Sequence, residues 1–360
     1  MDIITQNYPA KYWHFLPNGR IQCDLCPQAC KLQEGQRGIC FGRMRIKDQL
    51  VLTTFGRSSG FCMDPVEKKP LNHFLPGSPI LSFGTAGCNL SCKFCQNWDI
   101  SKAREDNILS NCATPVSIAE RAVELGAQSV AFTYNEPIIF MEYAVEAARE
   151  CHKRNIKTVA VTNGYICEEP RKEFFGAMDA TNVDLKGFSE KFYKNITGAT
   201  LKPVLDTLIY VKHETKVWLE ITTLLITGLN DSDEELKGEI DWIIKNLGVD
   251  VPIHFTAFYP AWKMLNHPPT PVETLIRARN LALEKGIRYV YTGNVYNPEG
   301  SNTYCHNCKK IVIGRDGYKI TTYELTEQGK CKFCGTLCSG IFTNKAGRWD
   351  GQRKPLYFGD

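Results

Sequence analysis

Sixteen cysteines, most of them in three tight groups, constrain this chain more than any other feature of its sequence. Cys23, Cys26, Cys30 and Cys40 lie near the start, Cys88, Cys92 and Cys95 follow, and Cys305, Cys308, Cys331, Cys334 and Cys338 stand near the end. Met1 to Pro9 contains no charged segment leading into an apolar stretch, and no run of about 18 apolar residues occurs. Secretion and membrane spanning are therefore disfavoured, and a cytoplasmic chain is expected. Clustered thiols in a reducing compartment are metal ligands rather than disulfides. Cys62, Cys112, Cys151 and Cys167 stand alone and are expected to pack as small hydrophobes.

Lysine and arginine total 43 against 39 aspartate and glutamate, a formal net charge of +4 over 360 residues. No basic run resembles a nucleic-acid arm, so electrostatics names no such partner.

From Ile80 to Tyr291 short β-type runs alternate with longer helical stretches, the pattern of parallel βαβ units. Six strands are expected, at Ile80–Phe83, Ser129–Tyr134, Thr158–Thr162, Thr181–Leu185, Val217–Leu225 and Ile253–Phe258, with a seventh short run at Arg288–Tyr291. Several are apolar throughout, as strands covered on both faces are. Ala144, Ala147, Ala148 and Cys151 recur at helical spacing, as do Leu236, Ile240, Ile243, Ile244 and Leu247. Thr270 is placed to cap a last helix, with Pro271 at its first position, Glu273 completing a capping box and Gly286 stopping it. Three segments follow: 1–73, cysteine-rich; 74–296, the α/β core; and 297–360, a metal-binding module.

Cys88, Cys92 and Cys95 come directly after the first strand, on a loop at its carboxyl end, where parallel α/β folds place their chemistry. Three thiols hold three irons of a four-iron cluster and leave one iron open to another ligand. Zinc favours four closed ligands, and no fourth Cys or His stands nearby.

At the other end, Cys305 and Cys308 are repeated by Cys331 and Cys334, enclosing a hairpin at Ile311–Ile320 that turns at Asp316-Gly317. Two such pairs give four tetrahedral sulfurs, a zinc ribbon or a rubredoxin-like iron site, with Cys338 just outside and Gly335 suiting the knuckle turn. Cys23, Cys26, Cys30 and Cys40 fit zinc or a second four-iron cluster, and spacing does not choose between them. Zinc would hold the fold together, whereas a cluster would relay electrons.

The cysteine spacing after strand one resembles the radical S-adenosylmethionine (radical SAM) superfamily, and the core is similar to its partial (β/α)6 TIM-like barrel. The resemblance implies a [4Fe-4S] cluster on Cys88, Cys92 and Cys95. It also implies S-adenosylmethionine bound at the open iron and cleaved by one electron to a 5′-deoxyadenosyl radical that abstracts hydrogen. Asn135 and Glu136 fall where the superfamily contacts the cofactor's amino group, although Tyr134-Asn135 replaces the usual paired glycines. Thr162-Asn163 and Asp184-Leu185-Lys186 match segments that pyruvate formate-lyase activating enzymes place around the cofactor. His254 is the candidate catalytic residue by the same match, and Phe94, between two ligands, is the candidate adenine-stacking ring.

Over nearly its full length the chain is similar to the radical enzyme of the AmmeMemoRadiSam system. That implies companions of the Memo and AMMECR types and an electron donor of flavodoxin or ferredoxin type. Glu67-Lys68-Lys69-Pro70 is a solvated loop on charge alone, and its match to the activating enzymes brings it beside the site. A zinc-ribbon module binding nucleic acid or protein, with the barrel as passive support, is the competing reading.

Overall fold

The computed structural model describes residues 7–104 and 108–358; residues 1–6, where no targeting signal is expected, lie outside them. One mixed sheet of nine strands organises the chain. In chain order these are β1 (Gly60–Pro65), β2 (Pro79–Gly84), β3 (Ser129–Phe132), β4 (Lys157–Thr162), β5 (Ala180–Asp184), β6 (Trp218–Leu225), β7 (Ile253–Ala257), β8 (Val290–Gly293) and β9 (Lys354–Leu356). They lie side by side as β8-β7-β6-β5-β4-β3-β2-β1-β9. Strands β2 to β8 are mutually parallel, whereas β1 and β9 join antiparallel. The sheet thus draws one strand each from segments 1–73 and 297–360.

A helix crosses between each successive pair of parallel strands: α1 (Pro115–Glu124), α2 (Met141–His152), α3 (Glu168–Gly176), α4 (Lys202–Glu214), α5 (Asp233–Leu247) and α6 (Val272–Glu284). Two of the starts are legible locally. Thr114 and Ser232 each accept a hydrogen bond from the backbone three residues on, at 3.1 and 3.2 Å. The last helix corrects the expectation. Pro271, not Thr270, is its N-cap residue and no side chain caps it, because the Thr270 hydroxyl instead donates to the Leu225 carbonyl at 2.6 Å and accepts from Phe258 N. Gly286, at φ +103°, does end it.

Side chains alternate across the sheet. Leu81, Val130, Phe132, Ala160 and Val183 enter the large core beneath the helices. Their neighbours Ile80, Ala131, Val159 and Ala180 point the other way and pack with Val66, Leu71 and Phe74. The segment 66–75 therefore plugs the helix-free face. Two of its charges are not solvated, contrary to expectation: Glu67 and Lys69 are both buried, whereas Lys68 stays partly exposed. Glu67 accepts from Gly77 N at 2.8 Å and faces Arg315 at 3.7 Å. The Lys69 ammonium reaches Asp64 at 2.6 Å. Burial lowers Lys69 to about 8 despite that partner, and Lys69 with Tyr134 holds Asp64 at about 2 although burial works against it.

Of the isolated cysteines, Cys62 and Cys151 are buried and Cys167 is half-buried, but Cys112 is exposed at the end of a two-residue strand and does not pack.

The cysteine-rich start is fastened to α2 by a buried ion pair, Arg43 to Glu142 at 2.6 Å, both side chains 1% exposed. Glu142 also accepts from Lys11 N, and Arg43 donates to the Ile139 and Lys11 carbonyls. Removing one partner strands the other charge, so Glu142→Ala is expected to cost about 3–5 kcal/mol. Urea unfolding checks this; a loss below about 1 kcal/mol would show that the pair is relaxed or hydrated.

Candidate active site

The three central cysteines follow β2 at its carboxyl end. Gly84 closes that strand where no side chain fits, since a Cβ there would lie 2.4 Å from the Thr133 carbonyl. Asn135 binds the strand end to the loop: Oδ1 accepts from Thr85 N at 2.9 Å, and Nδ2 donates to Thr85 Oγ1 at 3.2 Å and to the Gly87 carbonyl at 2.9 Å. Asn89 Nδ2 donates to the Tyr165 carbonyl, and Asn89 Oδ1 accepts from Asn163 Nδ2 at 2.8 Å. Further along, Ser91 N and Lys93 N donate to the Thr197 and Ile196 carbonyls. The loop is thus held from both sides before any ligand enters.

Buried thiols are poor acids. Burial pushes Cys88 up to about 12 and Cys92 up to about 11, so thiolates here require compensating positive charge. Lys102 opposes the rise at both cysteines and Lys186 at Cys92. Leu90 N also donates to Cys88 Sγ at 3.4 Å. Among the described residues, the sulfurs of these three do not form a group drawn within 4.8 Å of one another, unlike the C-terminal four. A single ion pulls its sulfurs together, whereas a four-iron cluster holds them apart across a cube. Flanking lysines and an N–H to sulfur bond fit thiolate ligands of a cluster.

Glu136 is the hub of the neighbouring strand ends. Oε1 accepts from Thr162 Oγ1 at 2.6 Å and from Ile138 N at 3.1 Å, and Oε2 accepts from Asn163 N at 2.8 Å. The structure therefore brings Asn135, Glu136, Thr162, Asn163 and Cys88 into one network. Burial is the main influence on Glu136 and raises it to about 7. Asp184 and Lys186, at the end of β5, pair at 2.7 Å. Burial works against Lys186, but Asp184 and Cys92 hold it well above the usual lysine range. Phe94 is buried and packs near Phe192, centroids 6.3 Å apart.

His254 sits apart from that network. Its Nε2 meets Glu220 Oε2 at 2.7 Å and its ring stacks on Tyr291 at 5.0 Å. Glu220 also accepts from Asn72 N and His73 N in the plugging segment.

Tyr134, at φ +70°, takes a backbone conformation that glycine adopts freely. Its side chain explains why glycine is absent: the hydroxyl donates to Asp64 at 2.6 Å, with Lys69 and Arg353 over the ring at 4.6 and 5.5 Å. Sequence reasoning missed Lys102, Asn89 and Tyr193, whose hydroxyl accepts from Lys186 N at 3.1 Å. Asn89 sits inside the cysteine motif, where its residue type alone signals nothing, whereas only folding brings Lys102 and Tyr193 to the loop.

At the C-terminal module Cys305 and Cys334 sulfurs lie 3.6 Å apart and those of Cys308 and Cys331 3.8 Å apart. Tetrahedral coordination at zinc–sulfur lengths gives about 3.8 Å. All four fall within 4.8 Å of one another and can hold a metal; Cys338 is not among them.

A parallel α/β sheet with a cysteine loop at the carboxyl end of its first crossover strand, and a separate group of four sulfurs able to hold a metal, define an α/β protein equipped to bind metal. The family model described as "Radical SAM superfamily" matches residues 83–243. An uncharacterized protein of Methanocaldococcus jannaschii is 38% identical over 91% of this chain and 97% of its own length. The 4-hydroxyphenylacetate decarboxylase activating enzyme of Clostridioides difficile is 24% identical over 54% of this chain, which spans 63% of that enzyme. A GTP 3′,8-cyclase of Limosilactobacillus fermentum is 28% identical over 65% of this chain and 75% of its own length. The chain belongs to the radical SAM superfamily and is a radical SAM enzyme. Membership implies a [4Fe-4S] cluster and S-adenosylmethionine, and displaces the reading of the barrel as passive support. Among the described residues no helix is long and apolar enough to cross a membrane.

Glu136 also makes a pH prediction. A carboxyl raised to about 7 in the fold, against 4.5 as its ordinary value, contributes stability that is full below pH 4.5 and lost as pH rises through 7. Metal-free protein is expected to lose about 3 kcal/mol from this group between pH 4.5 and 8. Glu136→Gln is expected to remove that share. Glu239, raised to about 8 chiefly by burial, supplies a residual slope. Equal slopes in wild type and variant, from urea midpoints across pH, would contradict the assignment.

Proposed function

We propose that this chain is an activase-like radical SAM enzyme that abstracts hydrogen from a partner polypeptide. The observation that carries the reading is the preformed loop of Cys88, Cys92 and Cys95 beside the Glu136 hub, at the carboxyl end of the sheet. When bound, the cluster and S-adenosylmethionine supply one-electron cleavage of a carbon–sulfur bond and a hydrogen-abstracting species. The chain's own residues do the rest. Glu136 would accept a hydrogen bond from the cofactor's ammonium, whose charge would favour the ionised carboxyl, while Thr162 and Asn163 hold the carboxylate oriented and Asn135 fixes the loop against β2. Asp184 and Lys186 face the cofactor from the end of β5, with Lys186 balancing charge at Cys92. Phe94 would offer its ring to the adenine. His254, held by Glu220 at 2.7 Å, is the candidate catalytic residue.

Similarity to the AmmeMemoRadiSam radical enzyme supports Memo-type and AMMECR-type companions as the polypeptides to try, with a flavodoxin or ferredoxin as electron donor. The test is to mix reconstituted enzyme anaerobically with reduced flavodoxin, S-adenosylmethionine and each companion. The expected result is an organic radical signal on the companion, with 5′-deoxyadenosine formed in proportion to it. Catalytic 5′-deoxyadenosine formation with a small molecule, and no protein radical, would overturn the activase-like part.

A further inference from the structure

Four cysteines outside the site just described remain: Cys23, Cys26, Cys30 and Cys40. They converge although 16 residues lie between the first and the last. Cys23 N donates to the Cys30 carbonyl and Ala29 N to the Cys26 carbonyl. A Cβ placed on Gly38 would lie 3.6 Å from Cys40 Sγ and 3.7 Å from Cys30 Sγ, so those two sulfurs flank one backbone position. Cys23, Cys26 and Cys40 are buried, and Cys30 is half-buried. Backbone N–H groups of Leu25, Gln28, Gly42 and Arg43 are directed at their sulfurs, and the Arg43 guanidinium acts on Cys23 and Cys40. Donors aimed at sulfur are what a set of thiolate ligands requires.

The chain carries its own comparison for which group these thiolates hold. At Cys305, Cys308, Cys331 and Cys334 the sulfurs are drawn within 4.8 Å, the spacing of a single ion. Among the described residues neither the first four cysteines nor Cys88, Cys92 and Cys95 form such a compact group. The N-terminal set, like the radical-cluster loop, thus lacks the compact single-ion grouping of the C-terminal four, and it offers one ligand more than that loop does.

The two loops also touch. Gln28 Nε2, between Cys26 and Cys30, donates to the Asn89 and Gly198 carbonyls at 2.9 and 3.0 Å. Gly87 packs so closely on the Cys40 carbonyl that a Cβ would lie 1.9 Å from it. Leu25 accepts from Cys167 N, and Tyr165, near Cys26, accepts from Asn89.

We propose that Cys23, Cys26, Cys30 and Cys40 hold a second, fully ligated [4Fe-4S] cluster that passes electrons to the cluster on Cys88, Cys92 and Cys95. The site rests on its own geometry, whereas the relay rests on the radical SAM reading. In one transfer, a low-potential ferredoxin or flavodoxin gives one electron to the N-terminal cluster. That cluster is then oxidised by one electron as the other is reduced by one, and no bond forms or breaks.

The test uses the full chain with Cys88, Cys92 and Cys95 all changed to Ser, reconstituted anaerobically with iron and sulfide. It is expected to retain about four irons and about four sulfides per chain beyond any iron at the C-terminal site. Its reduced paramagnetic signal is expected to be unchanged by S-adenosylmethionine. Zinc without sulfide, or no metal, at the first four cysteines would overturn the proposal. In case the triple variant does not fold, wild-type protein provides the second measurement: about eight cluster irons are expected, with one of two reduced signals responding to S-adenosylmethionine, and about four with a single signal would overturn it. For the relay, Cys26→Ser is expected to lower 5′-deoxyadenosine formation at least about 10-fold with reduced flavodoxin but less than about 2-fold with a small-molecule reductant that reaches either cluster directly. Equal loss with both would overturn the relay. A triple variant that keeps its cluster beside a wild type that cleaves no S-adenosylmethionine would leave the site standing and remove the catalytic reading instead.

Discussion

Cys92→Ala is expected to abolish reductive cleavage of S-adenosylmethionine, taking 5′-deoxyadenosine formation down by more than about 100-fold. Loss of residues that merely orient a metal ligand costs about 10–100-fold, and a direct ligand lies beyond that range. Cys92 is buried, and Lys102 and Lys186 both oppose the rise of its thiol. Alanine here leaves two uncompensated lysines facing an incomplete ligand set. The assay is anaerobic, with reconstituted wild type and variant reduced in parallel and iron counted in each. A variant that keeps its cluster and more than a tenth of the wild-type product would show that the three thiols are not the ligand set. Oxygen exposure is expected to mimic the variant, because an open iron is lost by oxidation.

The second large effect is expected at the other end of the chain. Cys308→Ser with Cys331→Ser is expected to release the C-terminal metal and lower the thermal midpoint by about 10 °C or more. A structural ion in a small module supplies on the order of 10 kcal/mol of folding free energy. In chains of this size each kcal/mol moves the midpoint by about 2–4 °C. The damage is expected to spread, because the module is tied to the plugging segment. His73, lowered by burial to about 4, meets the Ser339 carbonyl and Tyr291 hydroxyl at 2.6 Å each. Arg315 donates to the Asn72 carbonyl at 2.7 Å. Metal analysis and calorimetry on the same preparations check this; an unchanged midpoint after metal loss would show that the tie, not the ion, holds the module.

The parallel strands were legible because runs such as Thr158–Thr162 are apolar on both sides, and their observed ends differ by a residue or two. The three cysteine groups were legible because thiols are rare away from metals and their spacing survives folding. The plugging segment was not. Glu67 and Lys69 look solvated along the chain, and only Arg315, almost 250 residues later, and Asp64 explain their burial. Thr270 shows a different limit: it has the residue type of a cap, but a tertiary partner, the Leu225 carbonyl, claims its hydroxyl. Spacing also left zinc and iron–sulfur both open at the first four cysteines, since sulfur-to-sulfur distance is set by how the loop folds rather than by sequence separation.

The pairing of Lys354–Leu356 with Gly60–Pro65 bears on how the chain is made. At roughly 5–20 residues per second, β1 waits on the order of tens of seconds for the strand that covers its outer edge, and Phe61 as long for Phe358, whose ring ends 4.1 Å away. During that interval a nascent chain carries an open β-edge, a template for pairing with another copy. Slow translation at high expression thus favours association between unfinished molecules, and a truncation before Lys354 makes that exposure permanent.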